Sequence, residues 1–269
     1  MRIEDYPPQE PFSEVGKRYH DEAMRLGAGI VGEDHRYGED PYQGVALYRP
    51  AKPNGRVLAF LHGGGWTNGY KEWMAFMAPA FTAAGYLFAS IGYRLAPQHV
   101  FPAGVDDAAA GFAWVWRESG GKPIFIGGHS AGGHYASLLA VTRDWQGRLG
   151  IAGDAIRGCL PISGVYDFAA GSGLAMRPRF LGTGDTERAA SPIHRIDGRP
   201  RPFFMAHGER DFPHLIRQAE AMEAALKAAG AEVSRIVLPG RDHFTASYAG
   251  GEPDGPWVPA AIDWMNKQP

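Results

Sequence analysis

Seven short runs rich in β-branched, aliphatic and aromatic residues recur along this chain, at 45–48, 57–61, 87–91, 124–126, 156–162, 203–206 and 233–238. Segments with helical patterning lie between many of them, at 71–84, 105–118, 131–142, 215–229 and 259–266. That alternation predicts an α/β fold: a doubly wound, mostly parallel sheet with helices on both faces. The last strand–helix pair is the clearest, since AEAMEAALKAA consists of strong helix formers and stops at Gly230, before the strand EVSRIVLP. With 269 residues, one large domain or two small ones fit the length. No stretch has the composition of a linker, so a single domain over 1–269 is expected. Residues 1–44 and 168–202 fall outside the alternation and are expected to act as small cap or lid segments.

Composition removes several functional classes. With 45% hydrophobic and 21% charged residues the chain can bury a substantial core. Its 27 Lys+Arg against 29 Asp+Glu, interspersed, lack the basic excess of a nucleic-acid binder. One cysteine, Cys159, excludes an internal disulfide and argues for packing. The first residues, MRIEDYPPQEPF, carry acids and prolines where an export signal needs an apolar stretch, so the cytoplasm is the expected compartment. Residues 73–93 are uncharged and long enough to span a bilayer, but Pro79, Gly85 and Gly92 break them into an expected helix and a strand. No partner membrane is therefore expected. No H-E-x-x-H is present, no glycine-rich loop ends in Gly-Lys-Ser/Thr and no G-x-G-x-x-G follows a strand, so no metal, nucleotide or other cofactor is expected.

Gly128-His129-Ser130-Ala131-Gly132 fits G-x-S-x-G, directly after the strand PIFIG and directly before a helix. A serine forced onto such a turn needs flanking glycines for close backbone approach, and its hydroxyl then projects above the sheet. The pattern also occurs by chance in ordinary glycine-rich turns, and its strand–helix setting is what gives it weight. His62-Gly63-Gly64-Gly65-Trp66 follows the strand RVLAFL and exposes backbone N–H groups. Gly64, Gly65 and Ala131 are the expected donors to an oxyanion. His62 is expected to brace this loop, and Trp66 to wall a pocket.

A serine hydroxyl needs a base, and the base needs a carboxylate to orient it. In this kind of sheet the order is Ser, then acid, then His, with the acid after the penultimate parallel strand and the base after the last. Asp211 and His243 stand at those places, with Glu209 and Asp242 as nearby competitors. His129 occupies the variable position of the elbow, and His134 lies one helical turn past Ser130.

With these residues in place the chain resembles α/β-hydrolases of the HGGG esterase type, near the hormone-sensitive-lipase-like esterases and the arylformamidases (kynurenine formamidases). HGGGW, Tyr93-Arg94-Leu95-Ala96-Pro97 with Phe101-Pro102-Ala103 and Asp106-Asp107, and GHSAGGH resemble the wider group. Ile162 to Asp167, Gly208-Glu209-Arg210-Asp211 and Gly240-Arg241-Asp242-His243-Phe244 lean toward arylformamidases. Lipase-like esterases usually carry an Asp where His129 stands, and formamidases often have a bulky residue in place of Gly65. The loop Phe212-Pro213-His214 also differs from the acidic one of formamidases. The resemblance implies a serine hydrolase of small carboxylic esters or N-formyl aryl amides, with Trp66 and Tyr166 in the pocket wall. A short-chain or aryl carboxylesterase is the alternative within that class; a non-catalytic ligand receptor on the same fold is the alternative outside it. Arginines 177, 179, 188, 195, 199 and 201 cluster in or beside the second cap, and one of them is a candidate partner for a substrate carboxylate. Exposed edge strands of such sheets often pair between subunits, so a homodimer is allowed.

Overall fold

A computed structural model describes residues 1–269. Eight strands form one sheet: β1 (Glu33–Arg36), β2 (Gly44–Tyr48), β3 (Val57–Leu61), β4 (Leu87–Ile91), β5 (Ile124–His129), β6 (Ile156–Ile162), β7 (Phe203–Arg210) and β8 (Val233–Asp242). Their order is β1-β2-β4-β3-β5-β6-β7-β8. Strands β3 to β8 run parallel, while β2 is antiparallel to both β1 and β4. The α-helices are α1 (Glu14–Leu26), α2 (Ala78–Ala83), α3 (Ala103–Glu118), α4 (Ala131–Val141), α5 (Asp144–Leu149), α6 (Glu187–Ala190), α7 (Pro213–Ala228), α8 (Thr245–Tyr248) and α9 (Val258–Lys267).

Every residue of β3 and β5 is buried, as a parallel strand covered on both faces requires. Strands β5, β7 and β8 run three to four residues beyond the apolar runs that announce them. Those extensions carry polar residues to the C-terminal edge of the sheet. After β3 the chain crosses to β4 on one side and then to β5 on the other. A crevice at such a reversal, outside the C-terminal strand ends, is where open parallel sheets bind ligands.

Three expectations change. Residues 71–84 do not form one helix: a 3₁₀ segment, Lys71–Met77, leads into α2, and Pro79 in the first turn of α2 has no N–H for a longer helical ladder. Residues 1–44 include a well-formed helix. In α1 the Ser13 Oγ accepts the Gly16 N–H at 3.1 Å, and Tyr19 and Ala23, one turn apart, are buried. Strand β1 is Glu-Asp-His-Arg and carries no apolar alternation; it exists through its pairing with β2. Residues 168–202 do stay largely irregular, with only α6 and the 3₁₀ turn Pro192–His194. No helix of the chain is long and apolar enough to cross a membrane.

Candidate active site

Ser130 sits between the end of β5 and the start of α4 with φ 53° and ψ −115°, a conformation that costs a non-glycine residue about 1–3 kcal/mol. Its N–H is tied to the Ile162 carbonyl of β6 at 2.9 Å. The turn closes only because its flanks are glycine. A Cβ on Gly128 would lie 2.3 Å from the Gly132 backbone, and one on Gly132 would lie 2.2 Å from the Leu61 carbonyl oxygen. The serine is thus presented at the N-terminus of α4, where unpaired N–H groups favour negative charge.

The ends of β7 and β8 supply the partners. Ser130 Oγ–H donates to His243 Nε2 at 2.9 Å, and His243 Nδ1–H donates to Asp211 Oδ1 at 2.9 Å. The competing acids are engaged elsewhere. Glu209 accepts the Gly240 N–H at 2.8 Å, and Asp242 accepts the N–H groups of Phe244 and Thr245 at the start of α8. Burial by itself would raise the Asp211 carboxyl. Hydrogen bonds from His243, the Ser163 hydroxyl and the Phe212 N–H outweigh it and hold the group at about 2. Asp211 is therefore ionised at neutral pH, next to a histidine that is 7% exposed.

Ser163 is a partner that local sequence patterning does not reveal. It follows β6 with φ 51°, is 2% exposed and donates its hydroxyl to Asp211 Oδ2. The meeting spans 48 residues of sequence.

The glycine loop lies against the elbow. Gly64 and Gly65 have φ of 118° and 61°, and with Ala131 their N–H groups take no part in the backbone bonds of the surrounding loops and caps. His62 sits at the base of this loop, stacked on Tyr93 with ring centroids 4.2 Å apart, its Nδ1 2.7 Å from the Gly63 carbonyl. Burial, above all, pushes its pKa down to about 4. Trp66 continues the loop at φ 65°, stacks on Phe180 at 4.4 Å and donates its indole N–H to His134 Nδ1 at 3.0 Å. His134 must then carry its proton on Nε2, which meets the Ala190 carbonyl at 2.6 Å.

A cavity of about 430 Å³ opens over Ser130, His243, Gly64 and Gly65. Its aromatic lining is Phe12, Tyr19, Trp66, Trp73, Phe212 and Phe244, supplemented by Leu174 and Met176. Both segments outside the strand–helix alternation thus contribute walls. Tyr166 does not line the cavity and is 1% exposed. The positive φ of Ser163 turns the chain as it leaves β6, so that Val165 reaches the cavity instead and Tyr166 packs with its N–H on Gln218 Oε1 at 2.8 Å. Of the six arginines in or beside the second cap, only Arg179 lines the cavity, and its guanidinium is engaged by Glu10 and Thr67. Phe12, Tyr19, Trp73, Phe212 and Phe244 are wall residues without a motif; a serine cap followed by an amphipathic stretch was the available signal for α1.

Comparison with known proteins agrees with this architecture. Residues 58–247 match the alpha/beta hydrolase fold family. Esterase LipQ of Mycobacterium tuberculosis is 34% identical over 220 residues, covering 72% of this chain and 52% of that protein. Isoprenylcysteine alpha-carbonyl methylesterase ICME of Arabidopsis thaliana is 28% identical over 235 residues, covering 77% of this chain and 55% of that protein. The chain thus spans about half the length of these relatives. Among solved structures, the Pyrobaculum calidifontis esterase superposes with a TM-score of 0.76 at 21% identity, covering 94% of this chain and 93% of that one. On the family match through most of its length, the chain belongs to the alpha/beta hydrolase fold family.

Proposed function

We propose that this protein is a serine carboxylesterase working through an acyl-enzyme. The observation that carries the reading is the hydrogen-bonded series Ser130–His243–Asp211, with both links at 2.9 Å, in the floor of an apolar cavity. Ser130 Oγ attacks the ester carbonyl while His243 Nε2 takes its proton. Asp211 holds the imidazole in the Nδ1–H tautomer and stabilises the imidazolium. The N–H groups of Gly64, Gly65 and Ala131 receive the oxyanion. His243 returns the proton to the leaving alcohol, and water then repeats the sequence to release the acid. The relatives named as esterases support the same reaction class.

The aromatic lining favours substrates with an aryl group, and this is what keeps an N-formyl aryl amide as the second reading. Both substrates share the attack on a carbonyl and differ in the leaving atom. Side-by-side assays of wild type and Ser130→Ala on p-nitrophenyl acetate, p-nitrophenyl octanoate and N-formylkynurenine decide between them. Ester turnover that vanishes in the variant supports the esterase reading, and a far higher kcat/KM on the formamide replaces it with the second. Turnover unchanged by Ser130→Ala removes the mechanism. Failure of a fluorophosphonate to label the wild type would instead favour a ligand receptor.

A further inference from the structure

The variable residue of the elbow, His129, touches more of the site than its place in the motif implies. Its Nε2 lies 2.8 Å from the main-chain carbonyl oxygen of His243. A carbonyl only accepts, so Nε2 carries the proton and Nδ1 is left bare; that atom is buried and has no hydrogen-bond partner. On its other side the ring presses on the glycine loop, where a Cβ on Gly63 would lie 2.7 Å from His129 Nδ1. Glycine at 63 is the condition for the imidazole to fit. A third contact is the stack on Tyr19 of α1 at 5.8 Å, and the Tyr19 hydroxyl in turn meets Ser247 Oγ of α8 at 2.9 Å. One side chain therefore touches the base loop, the glycine loop and the helix that walls the cavity.

We propose that His129 is a positioning residue, whose Nε2–H fixes the backbone of His243 and thereby the reach of its imidazole between Asp211 and Ser130. The inference rests on the serine-hydrolase reading above. Its physical basis is the steep dependence of proton transfer and attack on geometry, where a displacement of about 1 Å costs about 10²-fold in rate. His243 is carried by a loop after the last strand of the sheet, and β8 has no neighbour on its outer side. A carbonyl anchored from the elbow ties that loop to the residue next to the nucleophile itself. The anchoring ring also has to be uncharged, because the His243 ring lies 5.2 Å away and becomes cationic during turnover. Burial first, and the neighbouring His243 charge second, push His129 down to about 3, so it stays neutral while His243 cycles. A carboxylate at position 129 would offer no N–H to the same carbonyl.

Three variants of the full chain test this: His129→Gln, which keeps an N–H at the reach of Nε2; His129→Leu, which has none; and His129→Asn, whose amide stops one bond short. Each is checked for folding by circular dichroism. The rate of labelling by a fluorophosphonate and kcat and KM on p-nitrophenyl acetate are then measured. His129→Leu is expected to slow labelling and kcat by about 30- to 100-fold with KM within about threefold, while His129→Gln returns to within about fivefold of wild type. If His129→Leu does not fold, His129→Asn against His129→Gln supplies the same contrast. Equal rates in folded variants with and without the donor overturn the proposal, as does a loss that appears in KM alone. A wild type that neither labels nor turns over the ester sinks the underlying reading and this inference with it; a reactive wild type with an indifferent donor sinks the inference alone.

Discussion

The floor of the site and its walls are built on different principles. The floor consists of the turns at the C-terminal ends of β3, β5, β7 and β8, where steric rules admit few residues and buried hydrogen bonds join Ser130, His243 and Asp211. The walls come from α1, the segment 168–202 and the loops around Phe212 and Phe244, held by aromatic contacts and by ion pairs open to water. Chemistry is assigned to the first and substrate choice to the second. The difference teaches that a floor of this kind loses function all at once, whereas a wall changes by degrees.

The largest effect expected on that contrast is at the nucleophile. Ser130→Ala should lower kcat by about 10⁴-fold or more while the melting temperature stays near that of wild type, which a thermal melt beside the ester assay would check. A surviving rate would place the chemistry outside the floor.

Acid should strip the floor next. His62 and His134 are held at about 4 and His129 at about 3, each from an ordinary 6.5 and each chiefly by burial. The unfolded chain therefore binds protons from about pH 6.5 downward that the folded chain refuses, so stability is whole above that pH and drains as pH falls. Three such groups amount to about 4 kcal/mol per pH unit at the steepest. Asp211 behaves differently: depressed from 3.8 to about 2, it keeps its contribution until the pH drops below about 4. Urea midpoints between pH 7.5 and 5 that do not move would show that these imidazoles are hydrated.

Smaller effects separate support from wall. Ser163→Ala removes one of the hydrogen bonds to the Asp211 carboxylate and should cost about tenfold in kcat with little change in KM, a charged acceptor losing one donor. Phe212 is 43% exposed, and its ring lies 4.8 Å from that of His243. Phe212→Ala should reduce the ratio of kcat/KM for phenyl acetate over ethyl acetate by about fivefold. An unchanged ratio would take Phe212 out of the wall. Last, Arg179 is 52% exposed where it pairs with Glu10, so Arg179→Met should alter stability by less than about 1 kcal/mol. A larger loss in denaturant titration would mean that the ion pair clamps the two cap segments together.

The same division governs what can be read from residues alone. Ser130, Asp211 and His243 are legible because each follows a parallel strand in a fixed order and two of them sit in turns that glycine marks. Trp66 is legible as the neighbour of such a turn. Ser163 is not, since its meeting with Asp211 is made across β6 and β7 and has no spacing rule. Tyr166 misleads for a related reason: a left-handed residue at 163 breaks the alternation from which its direction would be inferred. α1 is hidden by averaging, because the prolines, glycines and charges around it dominate the first 44 residues, while its own 13 follow a serine cap and carry two buried positions one turn apart.

The indole of Trp66 wires floor and wall together. It belongs to the glycine loop by sequence, yet through His134 it is hitched to the Ala190 carbonyl in the segment 168–202. A lineage that remodels this segment to admit a different acyl group therefore also pulls on the loop assigned to the oxyanion. Along this side of the cleft, selectivity and turnover are inherited as a linked pair, and a change of acyl group that spares Ala190 is the one expected to leave the oxyanion loop at rest.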